Sequence, residues 1–103
     1  MAHYDVDKDD LSQFIDRLSV AQKYAENGDS DEAVIKQLRE AQGILEERFP
    51  SSWYKDRDFD FDNVCEEIKT PTITGEERVE VVKDFQGKMI KKIYESENLN
   101  IEP

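Results

Sequence analysis

The sequence predicts an all-α fold: a compact bundle of three long helices and one short helix, opened by an antiparallel N-terminal hairpin. Three observations carry this expectation. Apolar residues recur at helical spacing in three long stretches. Capping or helix-breaking residues bound each stretch. The 103-residue length suits one domain with one modest core. Residues 1–103 therefore read as a single acidic helical domain, with flexible ends at 1–8 and 97–103.

The first helix is predicted to begin near Asp7 or Asp9. Acidic side chains there cap free backbone N–H groups and favour the positive end of the helix dipole. Leu11, Phe14, Ile15, Leu18, Ala21 and Ala25 form its apolar stripe. Asn27 and Gly28 end it, since both residues tolerate positive φ. The second helix starts after Asp29 or Ser30, and Asp29 with Glu32 has the spacing of a capping box. Its stripe is Val34, Leu38, Ala41, Leu45 and Phe49, broadened by Ile35 and Ile44. Pro50 closes it. The short link between these helices predicts the antiparallel hairpin.

Residues 50–62 change character. Trp53, Tyr54, Phe59 and Phe61 are dense there, and aspartates alternate from Asp56 to Asp62. This stretch is predicted to be an ordered aromatic and acidic connection containing a strand-like segment. A short helix follows at about 62–69, with Val64, Cys65 and Ile68 facing inward and Pro71 beyond its end. The last long helix has the clearest start, because Thr74 and Glu77 form a good capping-box signature. Val79, Val82, Phe85, Met89 and Ile93 supply its stripe. Lys88, Lys91 and Lys92 fall toward its C-terminus, where the dipole favours cations. Val81, Ile90 and Tyr94 widen the stripe and offer a face for a homodimer.

Composition narrows the function class. There are 25 acidic and 14 basic residues, for a formal net charge of -11. Such a surface repels nucleic-acid phosphates and anionic membranes and attracts basic protein surfaces. Direct nucleic-acid binding is therefore not expected. No segment reaches membrane-spanning length, and the N-terminal stretch lacks the apolar run of a signal peptide. A cytoplasmic location is the expectation. Cys65 is the single cysteine and cannot form an intrachain disulfide. On an apolar helical face it reads as a buried, inert thiol.

The inventory for catalysis is thin. His3 is the one histidine, and one histidine with one cysteine cannot build a zinc set. No glycine-rich phosphate loop occurs among four glycines. No catalytic, cofactor or metal residues are assigned, and a non-enzymatic protein is expected.

Two local patterns resemble known motifs. The run Tyr24-Ala25-Glu26-Asn27-Gly28-Asp29-Ser30-Asp31-Glu32-Ala33-Val34 resembles the inter-helix turn of tetratricopeptide repeats. The resemblance implies a helical hairpin with a peptide-binding role. It departs from the family where Ala33 and Ala41 stand eight residues apart rather than seven, and no second copy is visible. Asp56, Asp58, Asp60 and Glu67 resemble positions 1, 3, 5 and 12 of an EF-hand calcium loop. There the sixth position should be glycine, and here it is Phe61.

Aromatic anchors among acids suit a protein interface, because rings supply desolvated area and carboxylates steer a basic partner. The expected function is thus a non-enzymatic protein-binding regulator, adaptor or inhibitor. Its surface would comprise Trp53, Tyr54, Asp56, Asp58, Phe59, Asp60, Phe61, Asp62, Glu66 and Glu67, and its partner would be a basic protein. In size and charge the chain is similar to immunity proteins that act against nucleases. Two alternatives stay open: a nucleic-acid mimic blocking a nucleic-acid-binding protein, and a structural subunit of a homo- or hetero-oligomer.

Overall fold

The computed structural model describes residues 4–55, 57, 59–96 and 98–102. In chain order the elements are β1 (Tyr4–Asp7), α1 (Lys8–Glu26), α2 (Asp31–Arg48), α3 (Ser51–Tyr54), α4 (Phe61–Ile68), α5 (Gly75–Tyr94) and β2 (Leu99–Glu102). All the helices except the single turn α3 start where polar side chains take up orphan N–H groups. Asp7 accepts from the Asp9 amide, at 2.8 Å. Thr74 and Glu77 form the full reciprocal capping box of α5. The α2 cap is Ser30, whose Oγ accepts from the Ala33 amide at 3.2 Å. The Asp29–Glu32 box expected from spacing is not used, because the chain turns one residue later. Gly28 follows α1 with a φ of 76°, the left-handed conformation that a side chain resists.

The three expected long stripes are the core. Leu11, Phe14, Leu18, Ala21 and Ala25 of α1 are buried, as are Val34, Leu38, Ala41 and Leu45 of α2. Val82, Phe85, Met89 and Ile93 of α5 join them. Helix α1 lies against both α2 and α5, and α4 fills the gap between α2 and α5. An aromatic chain runs through the centre. Phe14 meets Phe49 at 5.5 Å between ring centroids and Phe61 at 6.4 Å; Phe61 then meets Phe85 edge-on at 4.9 Å.

The all-α expectation is corrected by a two-stranded sheet. β1 pairs with β2 in parallel, Tyr4 opposite Leu99 and Val6 opposite Ile101. The N-terminal structure is therefore a strand joined to the C-terminal strand, and not a free-standing antiparallel hairpin. Residues 4–7 and 99–102, expected as loose ends, are the two strands. Both segments alternate apolar and polar residues, but their partners lie about a whole chain apart, so neither reads as a strand locally. The helix inventory also differs. Among the described residues there are two short helices rather than one, because Ser51–Tyr54 forms a single turn behind Pro50. No strand occurs among the described residues of 50–62.

Candidate protein-binding surface

The expected aromatic and acidic strip divides into an inner and an outer half. Trp53 is wholly buried and Phe61 is 1% exposed. The expectation that these rings are partner anchors is thus corrected, because the core needs large side chains and takes them. Trp53 stacks on Phe49, with centroids 5.8 Å apart, and touches Phe59 at 5.5 Å. Its indole N–H donates to Ser96 Oγ at 2.8 Å. The Arg57 guanidinium lies over the same ring, 4.8 Å from its centroid, and donates to the Trp53 carbonyl, Ser96 Oγ and Asn98 Oδ1. Trp53 is therefore the structural bolt between α3 and the segment that leads into β2.

Tyr54 and Phe59 are half-buried against the core edge, while Asp60, Asp62, Glu66 and Glu67 are exposed. Asp56 and Asp58 lie outside the described residues. Asp60 is committed to the backbone: its carboxylate accepts from the Asn63 amide at 3.0 Å and caps α4. This overturns the EF-hand geometry. The sixth loop position, Phe61, opens a helix that carries Glu67, so positions 6 to 12 do not curl around a central ion. Among the described residues, no three acidic, histidine or cysteine side chains gather as a metal set.

Asp62 faces the other way, toward α2. It accepts from Arg39 at 2.7 Å, and this hydrogen bond holds the guanidinium still more firmly protonated. Beneath this pair sits Cys65, 2% exposed. Burial pushes its thiol pKa up, against the smaller opposing pull of Arg39. That is the inert thiol its helical position predicts.

Of the strip's exposed acids, Asp60 and Glu67 line a groove between α4 and α5. Val64, Val81, Phe85 and Met89 contribute apolar atoms to it, and Asp60, Asn63, Glu67, Asp84, Lys88 and Lys92 complete its lining. Its volume is about 240 Å³. At Val81 and Asp84 it opens onto an acidic shelf along the start of α5, with Glu76, Glu77 and Glu80 beside Val79 and with Glu26 of α1. Groove and shelf together present seven carboxylates against two ammonium groups.

The shelf is the part that sequence reasoning missed. Glu76, Glu77, Glu80 and Asp84 fall within about 100° of the α5 circumference, so their spacing carried a readable signal. The expected homodimer stripe does not form one face. Val81 and Ile90 are nine residues apart and lie about 180° from each other around the helix. Val81 borders the groove, whereas Tyr94, at 64% exposure, stands near Ile90 on the opposite flank of the core stripe.

Among the described residues, no helix is long and apolar enough to cross a membrane. No protein-family model matches the chain, and neither a curated protein nor a solved structure shows significant similarity to it.

Proposed function

We propose that the protein is a non-enzymatic binding module, acting as regulator, adaptor or inhibitor by taking a basic segment of another protein along the α4–α5 groove. One observation carries the reading: a groove lined by three carboxylates and two ammonium groups that opens onto a shelf with four further carboxylates, Glu26, Glu76, Glu77 and Glu80. The carboxylates attract Lys and Arg over distance and set the approach, while the half-buried Val81 and the small exposed edges of the core residues Val64, Phe85 and Met89 offer apolar contact after docking. An amphipathic segment, apolar on one side and basic on the other, matches both properties. The half-buried Phe59 meets the groove through Lys92, whose ammonium lies 5.6 Å from its ring centroid, and Phe61 supports Phe85 from inside. Steered encounter followed by stoichiometric coverage needs no bond-making chemistry.

The test is a titration of the isotopically labelled protein with three synthetic peptides: a Lys/Leu amphipathic helix, its Glu/Leu counterpart, and a Lys-only chain. The reading expects amide shifts concentrated at Val64, Val81, Phe85 and Met89 with the Lys/Leu helix alone. Glu67→Gln with Asp84→Asn should weaken that binding roughly 10-fold, as for the loss of two charge contacts of ~0.7 kcal/mol each. Shifts spread evenly over all acidic residues, equal with the Lys-only chain, would reduce the site to charge alone and sink the proposal.

A further inference from the structure

Among the described residues, the two-stranded sheet has an unpaired edge. Tyr4 N–H donates to the Asn98 carbonyl at 2.8 Å. With Tyr4 opposite Leu99, the parallel ladder then uses the backbone groups of Tyr4 and Val6 on β1, and of Asn100 and the Glu102 amide on β2. The N–H and C=O of Leu99 and Ile101 consequently point away from β1. Neither residue takes part in any further backbone hydrogen bond among the described residues. Parallel strands are ordinarily enclosed on both sides, and a sheet of two short strands is marginal.

Burial identifies β2 as the outer strand. Val6 of β1 is 2% exposed, whereas the core-facing Leu99 and Ile101 of β2 are only half covered. An added strand would place alternate apolar side chains beside Leu99 and Ile101. Its intervening residues would lie on the solvent face of the sheet, where Asp5, Asp7, Asn100 and Glu102 are exposed. Among the described residues, the two strands bring three carboxylates and no cation to that face. The charge selects a basic occupant. It also disfavours a second copy of β2, which would bring two such acidic faces into one sheet.

We infer that the free edge of β2 accepts, as a third strand, an extended segment of a partner protein in which apolar residues alternate with Lys or Arg. Main-chain hydrogen bonds to Leu99 and Ile101 hold the segment, and alternation sets its register. This surface is built from β1 and β2 and does not depend on the α4–α5 groove.

The probe is a ten-residue peptide alternating valine and lysine, with a Val/Glu peptide and an N-methylated Val/Lys peptide as controls. Amide hydrogen exchange is read residue by residue. The Val/Lys peptide should slow exchange at Leu99 and Ile101 at least 10-fold and leave Val6 unchanged, since the Val6 amide is already in the ladder. The N-methylated peptide, unable to complete the backbone bonds, should give no protection. Ile101→Pro removes an outward N–H without touching the β1–β2 ladder, an edge position where proline is tolerated. It should weaken peptide binding at least 10-fold while the near-ultraviolet signal of Trp53 is retained. Three results would each overturn the inference: unchanged exchange at Leu99 and Ile101, equal protection by the N-methylated peptide, or protection that follows protein concentration rather than peptide.

Discussion

Leu38 shows how far a single position can be read. It projects from α2 into the core and has no solvent exposure. Leu38→Ala removes buried methyl groups and leaves a cavity, so the expected cost is about 2–5 kcal/mol. Denaturant melts measure it directly, and a loss under about 0.5 kcal/mol would mean that the surrounding helices close the gap. Cys65 adds a pH-dependent effect. Burial raises its pKa in the folded state, so the folded chain keeps the thiol proton when the unfolded chain has begun to lose it. The contribution is fully present below the unfolded thiol pKa of about 8.5 and is lost as pH rises through the higher folded value. Stability should therefore fall above about pH 8.5, and Cys65→Ala should flatten that part of the profile. Melts between pH 7 and pH 10 check this, and an identical slope in the variant would assign the effect to other groups.

At the scale of elements, local chemistry decides what can be read in advance. Thr74 is the clearest case: its Oγ accepts from the Glu77 amide at 3.1 Å while Glu77 reaches back to the Thr74 amide at 3.3 Å. Thr74→Ala should cost about 1 kcal/mol, visible as a shifted urea midpoint, and Thr74→Ser should restore most of it. Wild-type stability in the alanine variant would show that the cap is redundant. The long helices were legible for the same reason that this cap was, since spacing and capping act within a few residues. The sheet was not legible, because Val6 becomes a strand residue only through Ile101, and nothing near either residue announces the other. The candidate surface was partly legible. Asp60, Asp62, Glu66 and Glu67 are exposed as the alternating charge suggests. Trp53 and Phe61 went inward, because aromatic density alone does not say which rings the core requires. The acids of α5 were overlooked, although their helical spacing places them on one face.

For the whole molecule, charge and shape combine into one prediction about salt. A net charge of -11 sits on a body with extents of 45 × 23 × 20 Å. Ion pairs such as Arg39–Asp62 and Lys91–Glu95 are solvent-exposed, and such pairs contribute little. Repulsion among carboxylates is spread over the surface and includes the five acids of the α5 shelf, Glu26, Glu76, Glu77, Glu80 and Asp84. At about 0.01 M ionic strength the screening length is about 30 Å, longer than the molecule is wide, so carboxylates on opposite sides still repel. At about 0.1 M it is about 10 Å, and repulsion survives only between neighbours. The melting temperature should accordingly rise as sodium chloride increases from about 0.01 to 0.2 M, with most of the gain in the first part of the range. The triple variant Glu76→Gln, Glu80→Gln, Asp84→Asn should melt higher than wild type at low salt and gain less from added salt. All three side chains lie outside the apolar core, so the change tests charge without disturbing packing. A melting temperature that falls with salt would mean that attractive pairs dominate the field. The shelf would then be a balanced surface, and the electrostatic half of the case for a basic partner would fail with it.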